Sequence, residues 1–496
     1  MKRTFKEIAG SIVTPQGFRA AGVFCDIKRL GTGKGSNKGQ KRDLALIVSE
    51  LPATVAGMFT TNQVCAAPVK VCVERVKKGT AQAIVINSGN ANACTGKQGL
   101  CDAQEMTRIA AFAVTANMSS RPSSSRKYRP RSDERSDGLP AERVLVASTG
   151  RIGVTMPMAN VRRGILAVAK LLGNSSNHAA QAAEAIMTSD TRPKQIAVEF
   201  KLGEKTVRLG GICKGAGMIQ PGMSTNGQRP AALSKGGFHA TMLCFITTDA
   251  AIEAKVLQPA LQEAVAQSFN RITVDGDMST NDTVLVLANG LAGNPSLAAA
   301  DVRRLNSKKG KVGASLPRLL RDFEVFQAAL NHVCLELAKM IVRDGEGVHR
   351  VVTVRVNGAK TVADADAAAR AVANSPLVKT SWHGGDPNWG RIINALGYSP
   401  AKIVGEKLDI GYSSAFESDA SARRGGRGKI LWSLKRGQPT SATFKELCAA
   451  VAPKEFDLHI NLNLGAAGAV IYAADLTEAY VDFNKGDVGD PGSLGG

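Results

Sequence analysis

The chain has 496 residues, of which 44% are hydrophobic and 21% charged; this is ordinary globular usage and excludes wholesale disorder. No run of about 18 uncharged apolar residues occurs, so no membrane span is expected. The formal charge of +21 would suit a polyanion partner, but +14 of it sits in four stretches of loop-like composition, at 119–138, 224–239, 295–322 and 411–447. These read as solvated basic insertions. They lack the aromatic interleaving of a single-strand binder, so no nucleic-acid partner is expected.

In chain order the patterning predicts buried strands at Leu44–Val48 and Ala83–Ile86, a helix over Ala103–Met118, and a strand at Val144–Ala147. A helix over Arg162–Leu172 follows, then a helix over Ile252–Phe269, a strand at Thr283–Leu287 and a helix over Phe323–Val342. Alternating strands and helices with glycine-rich turns argue for an α/β fold. The nine cysteines form no CxxC pair, and no Cys/His cluster has zinc spacing, so no metal site is expected. An odd thiol count in a long chain reads as a reducing compartment. Residues Met1–Glu7 lack the apolar core of a secretory signal, so a cytoplasmic location is expected.

Several polar segments could carry chemistry. Asn87–Gly96 (NSGNANACTG) follows a strand and reads either as a ligand loop or as asparagines satisfying backbone groups. Ser148–Gly153 (STGRIG) also follows a strand; its Thr149–Gly150 pair offers a hydroxyl and an N–H to developing negative charge, or is a plain turn. Gly210–Ile219 (GGICKGAGMI) superficially resembles a phosphate loop but has no Ser or Thr after Lys214. Thr241 opens an apolar strand. A threonine becomes a competent nucleophile when it is a chain N-terminus, because its own amine then serves as base. Asp275–Asp282 (DGDMSTND) lacks the glycine and glutamate of a calcium loop. Trp382–Arg391 (WHGGDPNWGR) reads as a packed loop or a subunit contact.

Taken jointly, the order TTNxxxAAPV (Thr60–Val69), INSGNANACTG, STGxIGxxMPM (Ser148–Met158), MTSDTRPK (Met187–Lys194), GGICKGAGMIQP, ATMLCFITTDA, DGDMSTNDT, DGEG, HGGDPNWGRI and DLTEAYVxxN (Asp475–Asn484) closely resembles the glutamate N-acetyltransferase, or ornithine acetyltransferase, family of arginine biosynthesis. The resemblance implies an αββα-type layered sandwich. It implies self-cleavage at Ala240–Thr241 into an α chain (1–240) and a β chain (241–496), assembled as an α2β2 heterotetramer. The implied reaction moves acetyl from N-acetylornithine to glutamate, giving ornithine and N-acetylglutamate. Some members also use acetyl-CoA as a co-substrate; no cofactor is implied. Thr241 would be the nucleophile, and Thr149 and Gly150 the oxyanion hole. Thr188, Lys214, Thr241, Glu346 and Asn484 would bind substrate.

The sequence departs from this pattern in three respects. Sixteen residues, Ser224–His239, stand between Met223 and Ala240, where the family runs Pro-Asn-Met directly into Ala-Thr. The position five after Asn484, a hydroxyl residue in the family, is Gly489. The basic insertions are foreign to the family's compact pattern. Two alternatives stay open: an unprocessed, weakly active member of the same fold, and an N-terminal-nucleophile amidohydrolase or aminopeptidase using water as acceptor.

Overall fold

The computed structural model describes residues 4–28, 41–119, 138–228, 241–298, 316–414 and 430–485. In chain order its first strands are β1 (Phe5–Ile8), β2 (Phe18–Val23), β3 (Leu44–Phe59), β4 (Thr80–Asn90), β5 (Val144–Arg151), β6 (Lys194–Leu202), β7 (Lys205–Lys214), β8 (Leu243–Thr248), β9 (Ile272–Thr273) and β10 (Thr283–Ala288). All but β9 form one nine-stranded sheet in the order β1-β6-β7-β8-β10-β3-β4-β5, with β2 added to β3. The pairs β4–β5 and β8–β10 are parallel. Strands buried on both faces read as continuous apolar runs, which is why the sequence shows them without alternation. Within β3, Pro52 lacks an N–H for the ladder, and the register against β4 shifts between Val48 and Ala53.

The second sheet has seven strands: β11 (Val351–Ala359), β12 (Asp409–Ser414), β13 (Leu431–Lys435), β14 (Gln438–Pro439), β15 (Glu455–Asn461), β16 (Ala467–Ala474) and β9. Helices α1 (Ala67–Val76), α2 (Gly96–Ser119), α3 (Met158–Lys170) and α4 (Ser176–Ala185) pack on one face of the large sheet. Helices α5 (Ala254–Ala266) and α6 (Leu316–Arg343) pack on the other. Strand β8 shows the division: Leu243 and Phe245 join the first core, Cys244 and Ile246 the second. Helices α7 (Val362–Asn374), α8 (Pro376–Gly384), α9 (Trp389–Gly397) and α10 (Phe444–Val451) cover the smaller sheet, and α11 (Glu478–Asn484) ends the described chain. The expected α/β class and two helix-covered sheets are observed.

Helix α6 is long and apolar enough by composition to cross a membrane, but its apolar side, including Phe326, Leu330, Leu337 and Ile341, is buried in the second core. Composition overstated the basic insertions. Leu316–Asp322 belongs to α6, Gly411–Ser414 to β12 and Leu431–Lys435 to β13, while Ser224 bridges to Phe59. Their apolar residues pair or pack despite the flanking charge. Residues 120–137, 229–239, 299–315 and 415–429 of those stretches, with Ala240 and Gly489, lie outside the described residues.

Small residues set the closest packing. Helix α4 buries Ala179, Ala182, Ala183 and Ala185, and a Cβ on Gly22 of β2 would meet the Gln181 carbonyl oxygen at 2.1 Å. A Gly22→Ala chain is expected to lose roughly 1–3 kcal/mol through this overpacking. A lower denaturant midpoint at unchanged m-value would show it; an unchanged midpoint would mean that α4 yields freely.

Candidate active site

Strands β4 and β5 are longer than their apolar runs suggest. Parallel pairing continues through Asn87–Ser148 and Ser88–Thr149 to Gly89–Gly150. The NSGN and STG segments are therefore strand ends, not turns after strands. Ser148 Oγ donates to Asn87 Oδ1 at 2.6 Å, and Asn87 Nδ2 donates to the Asn90 carbonyl at 2.9 Å. Asn90 Nδ2 reaches the carbonyls of Val154 and Thr155. These asparagines satisfy backbone groups. Gly150 has φ 129°, and a Cβ there would lie 2.3 Å from the Gly89 carbonyl carbon. Only glycine fits that approach.

The GGICK segment is likewise strand, the end of β7, and not a phosphate loop. The antiparallel register of β7 and β8 pairs Lys214 with Leu243, two residues after Thr241. Lys214 is buried and donates from Nζ to three oxygens: Thr188 Oγ1 at 2.7 Å, Thr149 Oγ1 at 3.2 Å and the Thr241 carbonyl at 3.4 Å. Four residues singled out from sequence thus meet at one ammonium group. Burial lowers the pKa of Lys214 from its ordinary value, against the opposing pull of Asp190.

Glu346 and Asn484 meet beside the turn that follows Lys214. Asn484 Nδ2 donates to Glu346 Oε2 at 3.1 Å, and the Glu346 N–H donates to the Ala216 carbonyl at 2.9 Å. The turn after Lys214 is glycine-rich because Glu346 lies on it; a Cβ on Gly217 would meet the Glu346 carboxylate at 2.1 Å. Asp275 holds the end of the same turn, accepting from the N–H groups of Met218 and, at 2.7 Å, Ile219.

The structure adds residues that sequence reasoning missed. Ser279 Oγ lies 2.5 Å from Thr241 Oγ1 and accepts from the Asn281 N–H at 2.8 Å. Asn281 Nδ2 in turn donates to the carbonyls of Ala91 and Ser148, tying this loop to the ends of β4 and β5. Asp282 Oδ1 accepts from the Met242 N–H at 2.7 Å. Burial raises its pKa well above the usual carboxylate value, against the opposing pull of the Met242 N–H and Lys214. These residues sit in the DGDMSTND segment, whose density of polar side chains before an apolar strand was the available signal.

A second group lies behind Lys214. Buried Lys194 donates to Asp190 Oδ1 at 2.5 Å and to Asp344 Oδ2, and Asp190 Oδ1 also accepts from the Gly215 N–H at 2.8 Å. Burial alone would raise the pKa of Asp190, but Lys214 and Lys194 outweigh it and hold the carboxyl at about 2. Its folded value is below its unfolded one. Its stabilisation is therefore present above the ordinary carboxylate range and is lost as pH falls toward 2.

Fold and site together define an α/β protein in which the hydroxyl of Thr241, just before a strand start, lies beside one buried ammonium group. The ArgJ family profile matches residues 19–486. The chain is 42% identical over 479 residues to "Arginine biosynthesis bifunctional protein ArgJ" of Symbiobacterium thermophilum, covering 96% of this chain and 98% of that one. It is 40% identical over 484 residues to "Glutamate N-acetyltransferase" of Methanocaldococcus jannaschii, again covering 96% and 98%. A solved ornithine acetyltransferase of Mycobacterium tuberculosis, complexed with ornithine, is 35% identical, with a TM-score of 0.36, over 45% of this chain and all of that one. The chain belongs to the ArgJ family.

Replacing Lys194 with Met would leave Asp190 and Asp344 buried without their shared cation. Removing one partner from a buried ion group costs roughly 3–5 kcal/mol. Chemical denaturation of Lys194→Met is expected to show a loss of that size; a loss below about 1 kcal/mol would mean that water replaces the ammonium group.

Proposed function

We propose that this chain is a glutamate N-acetyltransferase of arginine biosynthesis that moves acetyl from N2-acetyl-L-ornithine to L-glutamate through an ester on Thr241. The observation carrying this reading is the convergence of Thr149, Thr188 and Thr241 on Lys214 Nζ. Maturation comes first. Thr241 Oγ1 attacks the Ala240 carbonyl, the Ala240–Thr241 C–N bond breaks as the nitrogen takes up the hydroxyl proton, and water hydrolyses the resulting ester to an Ala240 carboxylate and a Thr241 with free hydroxyl and amine. The products are an α chain, 1–240, and a β chain, 241–496, assembled as an α2β2 heterotetramer in the cytoplasm.

In transfer, Thr241 Oγ1 attacks the acetyl carbonyl and its proton passes to the Thr241 amine. Thr149 Oγ1 already accepts from Lys214, which leaves its own O–H to donate to the oxyanion beside the Gly150 N–H. Collapse expels ornithine, whose amine takes the proton. Glutamate then attacks acetyl-Thr241 by the reverse steps. Lys214 pairs the substrate α-carboxylate, Glu346 pairs a substrate ammonium group, and Asn484 closes the rim. Acetyl-CoA serves as a second acetyl donor to the same threonine. No metal or redox group enters the reaction.

Intact mass of freshly purified protein is expected to give two chains, the second beginning at Thr241. Thr241→Ala is expected to run as one 496-residue chain without transfer. A single wild-type chain would favour the unprocessed reading, and an uncleaved but fully active Thr241→Ala would remove the nucleophile assignment. Acetate release without glutamate would point instead to a hydrolase.

Thr149→Ala is expected to lower kcat by about 100- to 1,000-fold with KM little changed, the usual cost of one oxyanion donor. Unchanged kcat with raised KM would make Thr149 a binding residue.

A further inference from the structure

Outside the catalytic site, among the described residues, His349, His383 and Asp475 bring one ligand atom each to within 4.8 Å of one another. They come from three separate places: the loop before β11, the last turn of α8 and the residue after β16. No local spacing links them, so they could not be recognised in the sequence. We infer that these three side chains form a site for a divalent transition metal of the zinc class. Two of the donor atoms are buried and lack hydrogen-bond partners: His383 Nδ1 and Asp475 Oδ2. They face each other at 3.5 Å. Ligands at zinc's usual bond lengths of about 2.0–2.2 Å, in tetrahedral arrangement, stand roughly 3.3–3.6 Å apart.

The surroundings fit a metal-bound imidazole. His383 Nε2 lies 2.9 Å from Glu478 Oε2, so a proton on Nε2 leaves the Nδ1 lone pair aimed at Asp475. Metal-ligating histidines commonly donate their second ring N–H to a carboxylate in this way. Asp475 Oδ1 accepts from the His349 N–H at 3.0 Å, which fixes Oδ2 toward the imidazoles. The His349 and His383 rings meet edge-on, with centroids 5.6 Å apart, and His349 is exposed, giving an ion a path in. The neighbouring cations are directed elsewhere: Lys379 Nζ donates to the Ala474 carbonyl, and Arg350 Nη1 to the carbonyls of Trp382 and His383.

An ion here would join the segment carrying Glu346, three residues before His349, to the start of α11, which carries Asn484. It would stiffen the rim of the acetyl-transfer site without touching the reacting atoms. The site stands independently of the proposed reaction.

The test is isothermal titration of Zn2+ into the full chain after chelator treatment and buffer exchange. Wild type is expected to bind one equivalent with micromolar or tighter Kd. His349→Ala and His383→Gln are each expected to weaken it by at least about tenfold. Thermal melts should show a zinc-dependent rise in Tm in wild type that both variants lose. His349 is exposed, so its truncation leaves the fold intact if His383→Gln proves unstable. No binding by wild type up to millimolar Zn2+ would overturn the proposal, leaving His383 as a structural side chain between Asp475 and Glu478. Wild-type affinity in His349→Ala would overturn it equally.

Discussion

The site depends on keeping a lysine ammonium group in a dry place. Lys214 is buried at a strand end, where an unpaired charge would cost several kcal/mol. It is supported by a group whose formal charges cancel: Lys194 and Lys214 against Asp190 and Asp344. Each carboxylate also fixes backbone or side-chain donors. Asp190 holds the Gly215 N–H, and Asp344 holds the Thr191 N–H and hydroxyl. The same electrostatic balance therefore sets the turn after Lys214 and the segment bearing Thr188.

Cleavage before Thr241 would cut the chain but not divide it into separate folding units. Strand β8 lies between β7 and β10, and β10 pairs with β3. A chain starting at Thr241 thus contributes central strands to a sheet otherwise built from residues before 241. Separating the products would expose Leu243, Phe245, Leu285 and Leu287, all fully buried in a shared core. Burying four such side chains is worth roughly 6–12 kcal/mol by transfer estimates, enough to hold the products together without a covalent link.

Much of this was legible from sequence because the apolar runs are those of doubly buried strands. LALIV and AIVI could only be core, and the polar residues directly beyond them marked strand ends at which ligand groups collect. Sequence patterning nevertheless ended β4 and β5 too early. The parallel ladder pairs polar Asn87–Gly89 with Ser148–Gly150, and Ser148 Oγ is satisfied across it by Asn87 Oδ1, which no hydropathy rule registers. The pairing of Ser279 with Thr241 was hidden for a different reason. The two lie 38 residues apart, and neither residue's type requires the other. The Lys194 group had a local half, Asp190 at i,i+4, but Asp344 is 150 residues distant.

The hydroxyls in the site are held by donors that fix their acceptor side. Thr149 accepts from Lys214, and so does Thr188. Ser279 accepts from the Asn281 N–H and faces Thr241. A hydroxyl has one proton and two lone pairs, so an occupied lone pair restricts where the proton can point. That of Ser279 is left to point at Thr241 Oγ1. Orienting donors before charge develops makes them worth more than the same hydroxyls in water, which must reorganise during the reaction. The buried lysine thus has two roles with one cause. In the proposed reaction its charge attracts a substrate carboxylate, and its hydrogen bond to Thr149 orients the hydroxyl offered to the oxyanion.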